Sequence, residues 1–133
     1  MFGAFRSLVT RCGHLALEPT ITGILYGLLD ASRAHIRLQA PLYGAMGAAQ
    51  GTRCHARALD AYIDVVAGVL GARTDVTVDD PRAAATLVVN AGDGVIRSLV
   101  TQGDPVAADL LIREGVRMIC RYLTPSQMRS ARA

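Results

Sequence analysis

Two successive segments near the end of the chain open on the same dipeptide, Asp80-Pro81 and Asp104-Pro105. An Asp in that place accepts from the free amides of a helix's first turn, and Pro fits the first helical position, where no amide partner is needed. Gly103, between the two segments, suits the left-handed residue that ends a helix. The pattern predicts two helices joined by a very short connection, and therefore lying side by side. Both are apolar over most of their circumference. One small domain rarely has core enough to cover two such helices, which points to a second chain.

On a helical wheel, Ala85, Val89, Gly92, Ile96, Leu99 and Gly103 form one apolar stripe, with Leu87, Val88, Ala91 and Val95 on an adjoining face. Thr86, Asn90, Asp93, Arg97 and Thr101 make the polar remainder. In the second segment Asp109, Arg113, Arg117 and Arg121 form a charged stripe, and Ala108, Leu111, Ile112, Gly115, Ile119 and Tyr122 lie away from it. A glycine inside a helix costs about 1 kcal/mol relative to alanine. Gly92, Gly94 and Gly115 therefore ask for a reason, and close approach of another helix supplies one. The expected dimer interface is Ala85, Val89, Gly92, Ile96 and Leu99 with Leu111, Gly115 and Ile119.

Upstream, Phe2, Phe5, Val9, Cys12 and Ala16 fall at helical spacing over residues 1–17. No capping residue precedes them, which suggests that sequence once lay upstream. Glu18-Pro19-Thr20 marks a new start, and 19–34 is apolar nearly all round, as a central helix is. Residues 35–50 read as a shorter helix broken or kinked at Pro41. Gly51-Thr52 separates it from a long helix over about 53–73. Asp75 to Asp79 is a polar loop with two valines, and Thr124-Pro125 ends the fold. No strand is demanded. The expected fold is all-α, a single domain of about six helices over 1–123 with a flexible tail over 124–133.

Composition narrows the function classes. Half the 133 residues are apolar (51%) and 19% are charged, which argues against disorder. A mean hydropathy of +0.30 fits a chain with a buried oligomer interface. No apolar run reaches the roughly 18 residues of a membrane span, and no signal peptide opens the chain. Cys12, Cys54 and Cys120 are an odd, sparse set, as in a reduced, cytoplasmic protein. The net charge of +3 comes from scattered arginines with no lysine, so charge gives no support to a nucleic-acid surface.

The segments "DPRAAATLVVNAGDGVIRSLVTQGD" and "ADLLIREGVRMICRYL" resemble the close of TetR-family transcriptional regulators. The Asp-Pro start, the alanine run, the acidic residue beside Gly and the final Arg-Tyr-Leu carry the likeness. The number, length and apolarity of the upstream helices fit that family's ligand-binding domain. The resemblance implies a homodimer whose last two helices form a four-helix bundle with the partner's pair. It also implies a small, mostly apolar effector between the preceding helices. No segment matches the family's N-terminal helix-turn-helix module, so direct nucleic-acid binding by this chain is not expected.

An effector cavity needs apolar walls and a few polar anchors. The candidate lining is Phe5, Leu25, Leu28, Leu29, Tyr43, Met46, Tyr62 and Val66, with Asn90 and Asp93 as anchors. The same apolar residues serve equally as plain core, and Asp93 can instead pair with Arg97 one turn on. Cys12, His14, His35, Cys54, His55 and Cys120 make no paired metal-ligand spacing, so no metal and no cofactor is expected. Gly92–Gly94 is not a phosphate loop, and no nucleophile elbow occurs, so the chain is not read as an enzyme. The expected function is effector binding and homodimerisation in a TetR-like regulator. The alternative is a ligand-free interaction protein that pairs with other subunits.

Overall fold

The computed structural model describes Arg6, Ser7, Arg11 and residues 15–46 and 48–124; the side chains of 31, 34–46, 48–52, 54–55 and 101–102 are not described. Among the described residues the architecture is all-α, with four long helices. They are α1 (Leu17–Met46), α2 (Ala48–Ala72), α3 (Pro81–Gln102) and α4 (Pro105–Leu123).

The two closing helices form as their termini dictate. Asp80 is extended (φ −131°, ψ 105°) and accepts from the amides of Arg82 and Ala83 at 2.9 and 3.2 Å. Asp104 accepts from Val106 at 3.0 Å, and each Asp is followed by Pro at the start of its helix. Gly103 closes α3 in the left-handed region (φ 69°), its amide donating to Leu99 at 3.3 Å. Each Asp cap is worth about 1 kcal/mol.

Upstream, four expected boundaries move. Residues 19–34 and 35–46 belong to one helix, because α1 runs unbroken through Pro41 to Met46, and 48–50 open α2. Proline removes one helical hydrogen bond without ending a helix whose flanks are held. Gly51-Thr52 lies inside α2 rather than before it. Of residues 1–14 only Arg6, Ser7 and Arg11 are described, all helical, and Ala16 lies outside any helix. The six helices expected therefore become four among the described residues. Of the tail expected over 124–133, Thr124 caps α4 and 125–133 lie outside them.

Helix α3 is the centre of the bundle. It packs most extensively on α2, and also on α1 and α4, while α1 lies chiefly against α4. Among the described residues, consecutive α1 and α2 make the smallest contact. The core joins Leu17, Ile21, Leu25 and Leu29 of α1 to Tyr62, Ile63, Val66 and Leu70 of α2. It continues through Ala84, Ala85, Ile96 and Leu99 of α3 and Ile112, Val116, Ile119 and Leu123 of α4. Pro81–Val100 does reach the length and mean hydropathy (1.2) of a membrane span. That apolarity is accounted for by a helix that touches all three others.

Candidate functional site

Among the described residues, the exposed large apolar side chains concentrate on the α3–α4 hairpin. Five of the seven exposed large apolar side chains stand there: Leu87 (59% exposed), Val106 (79%), Leu110 (60%), Met118 (54%) and Tyr122 (48%). Val95 lies 3.7 Å from the position a Cβ would take at Gly115, which fixes the antiparallel register of the two helices. Leu87, two turns before Val95, then falls at the same end as Met118 and Tyr122, which follow Gly115. Ala91 and Val95, both half-buried, and exposed Gly94 continue the α3 side of this face. A Cβ at Gly94 would meet nothing within 4 Å. An apolar face of this kind marks an interaction site on a folded domain.

The stripe expected to meet a partner is turned the other way. Ala85, Ile96, Leu99 and Ile119 are in the chain's own core, 0–4% exposed, and Val89 and Leu111 are half-buried against it. A side chain enclosed by its own fold offers no surface to another chain. Gly92 and Gly115 do admit a close neighbour, and that neighbour is Leu25 of α1. A Cβ at Gly92 would stand 3.2 Å from Leu25 Cδ2, and one at Gly115 would stand 3.9 Å from Leu25 Cδ1. The exposed face is the adjoining one, carrying Leu87 and Ala91.

The effector candidates divide. Leu25, Leu29, Tyr62 and Val66 meet in the core, with Leu28 packed against it. Phe5, and the side chains of Tyr43 and Met46, lie outside the described residues. Asn90 is exposed, its Nδ2 donating to the Thr86 carbonyl of its own helix at 2.7 Å. Asp93 accepts from Arg97 Nη2 at 2.7 Å, with its side chain 14% exposed and that of Arg97 68%. The two polar candidates are thus engaged along α3, on the polar stripe of the wheel.

The charged stripe of α4 is exposed throughout and shares its side of the helix with Val106 and Leu110, while Met118 and Tyr122 lie about a quarter turn or more away. Tyr26 of α1 donates to Asp109 Oδ1 at 2.7 Å, which joins the two helices at the surface. That bond, chiefly, raises the Tyr26 pKa, because ionising the phenol would place two anions side by side. Arg117 pairs with Glu114 at 3.2 Å, and Arg82 of α3 pairs with Asp64 of α2. Exposed pairs of this sort add little to stability, because water and salt screen them. The Cys120 thiol is half-buried, and burial pushes its pKa up, away from a reactive thiolate. Sequence reasoning missed the Tyr26–Asp109 bond, since residues so far apart in the chain share no spacing signal.

A family model described as "Tetracyclin repressor-like, C-terminal domain" matches residues 17–123, from the first residue of α1 to the last of α4. No curated protein and no solved structure matches the chain.

Proposed function

This chain belongs to the tetracycline-repressor-like C-terminal domain family, and from that premise we propose that it is a homodimerising, effector-binding domain of a TetR-like regulator. The observation that carries the reading is the clustering of exposed Leu87, Val106, Leu110, Met118 and Tyr122 on one helical hairpin. A second copy is the occupant that suits it. Two such hairpins brought together make a four-helix bundle, whose apolar seam is the same on both sides of a two-fold axis. Exposed Gly94 and half-buried Ala91 keep backbones free to approach there. Met118 and Tyr122, at the Leu87 end, form the apolar part of the α4 side, while Val106 and Leu110 stand among Arg113, Arg117 and Arg121, where charged residues rim an interface.

The effector is a small, mostly apolar molecule held between α1, α2 and α3, against Leu25, Leu28, Leu29, Tyr62 and Val66. Binding there shifts α1 relative to the hairpin, and thereby the relation between the two subunits. The domain works without a catalytic step, in the cytoplasm. A second reading, a ligand-free interaction protein, is favoured by the burial of Leu25, Leu29, Tyr62 and Val66 in the one core. Light scattering on the purified chain at micromolar concentration tests the dimer. A mass twice the 14.1 kDa of one chain is expected, and a mass of 14.1 kDa contradicts it. Thermal shift across a library of apolar compounds separates the two readings: a saturable rise in melting temperature supports the sensor, and its absence the interaction protein.

A further inference from the structure

The loop between α2 and α3 is polar by sequence, yet it is held on all sides. Val76 and Val78 are half-buried and pack against the core. Arg73, at its start, is the main fastener. Its Nε and Nη2 donate to the two Asp75 carboxylate oxygens at 2.8 and 2.7 Å. The same Nη2 donates to the Leu15 carbonyl at 2.9 Å, just before α1 begins. Nη1 approaches the Thr20 hydroxyl at 3.5 Å. Thr20 is itself buried (1% exposed) and donates to the Ala16 carbonyl at 2.9 Å. The Arg73 side chain is only 10% exposed, unlike the other paired arginines, so it is a built-in group and not a solvated one. Four residues on, the Thr77 amide donates to the Leu123 carbonyl at 2.9 Å, at the end of α4.

We propose that this loop is a mechanical bridge. Through the Arg73 guanidinium it fixes the entry to α1, and through the Thr77 amide it fixes the exit of α4, so that the two ends move together. Arg73 is a positioning residue. Its planar fork grips Asp75 with two donors and leaves directions free for the Leu15 carbonyl and Thr20. Asp75 holds the fork at the angle that reaches α1. The segment before α1 is thus registered against the last turn of α4, which carries exposed Tyr122 beside the apolar face. The bridge rests on contacts within one chain and stands whether or not that face is a dimer interface.

Amide hydrogen exchange on the full chain tests this, comparing Arg73→Gln, Arg73→Lys and Asp75→Asn with the natural sequence. Arg73→Gln is expected to speed exchange of the Thr20 and Ile21 amides at least tenfold and that of Thr77 several-fold. Amides of Val95–Leu99, deep in α3, keep their rates. Arg73→Lys fails to restore protection, because an ammonium cannot make the forked contact. Asp75→Asn gives an intermediate effect. Unchanged rates at Thr20 and Ile21 in Arg73→Gln, or a rise shared equally by α3, overturn the proposal. Rescue by Lys also overturns it, since charge alone then suffices.

Discussion

Leu25 of α1 sits in a notch formed by two glycines: a Cβ at Gly92 would lie 3.2 Å from its Cδ2, and one at Gly115 3.9 Å from its Cδ1. Leu25 is 3% exposed, so an added methyl at Gly92 must be met by a shift of Leu25 Cδ2 inside a closed core. The overpacking this creates, about 1–3 kcal/mol, outweighs the helix-propensity gain of about 1 kcal/mol. Gly92→Ala should therefore destabilise the chain by about 1 kcal/mol in urea unfolding. Leu25→Ala should cost about 2–5 kcal/mol alone. The double variant should cost less than the two together by about 0.5 kcal/mol or more, because the new methyl fills part of the cavity. Additive costs would show that the two residues do not share the notch.

The helix caps allow a second measurement. Asp80→Ala leaves two first-turn amides without their acceptor and Asp104→Ala leaves one. Each should lower stability by about 0.5–2 kcal/mol. Asn at either position should restore most of the loss, as its side-chain oxygen accepts in the same place. A loss that Asn fails to restore would assign the effect to charge and not to capping.

How much could be read before the fold was known follows from the physics of each signal. Capping is local, so the Asp-Pro starts and the left-handed Gly103 stand where the sequence puts them. The need for close approach at Gly92 and Gly115 was legible too, but the neighbour at Gly92 is Leu25 of α1, and Gly115 meets Val95 of α3 as well as Leu25. Helix α3 is apolar on two adjoining faces, and periodicity alone does not tell which of them meets the chain's own core. Ala85, Ile96 and Leu99 proved to be inside and Leu87 outside. Pro41 and Gly51 carry strong breaking propensities that the surrounding helices override. The Arg73 network joins residues more than fifty positions apart and leaves no trace in spacing.

Acid should act on the bridge at Asp75. The Arg73 guanidinium, by its hydrogen bonds first and its charge second, holds the Asp75 carboxyl below the usual range, against a smaller opposing effect of burial. A depressed folded pKa means a contribution present above the unfolded value and lost as pH falls through the folded one. Because Asp75 is half exposed, solvent screening keeps that contribution small. Carboxyl carbon chemical shifts should show Asp75 titrating below an ordinary aspartate, and Arg73→Gln should return it to the ordinary range. An unshifted Asp75 in the natural chain would contradict the pairing.

Alkali should act at Tyr26. Its pKa is raised, so its bond to Asp109 contributes below the ordinary tyrosine value and is lost as pH rises through the folded one. Ultraviolet titration of Tyr26→Phe against the natural chain should remove a phenol that titrates above the ordinary range. Removal of an ordinary phenol instead would show that the Asp109 contact is not kept in solution.

The central claim is that the exposed face of the α3–α4 hairpin, and not the buried stripe behind it, joins two copies of the chain. Met118→Arg places a charge beside Leu87 and Tyr122 on that face at a residue 54% exposed in one chain, so the single chain loses little by it. Sedimentation equilibrium on this variant at micromolar concentration, with circular dichroism to follow helicity, is the most direct test. The expected result is a fully helical species of one chain mass where the natural chain sediments at two. A Met118→Arg variant that remains a dimer at the same concentration contradicts the account.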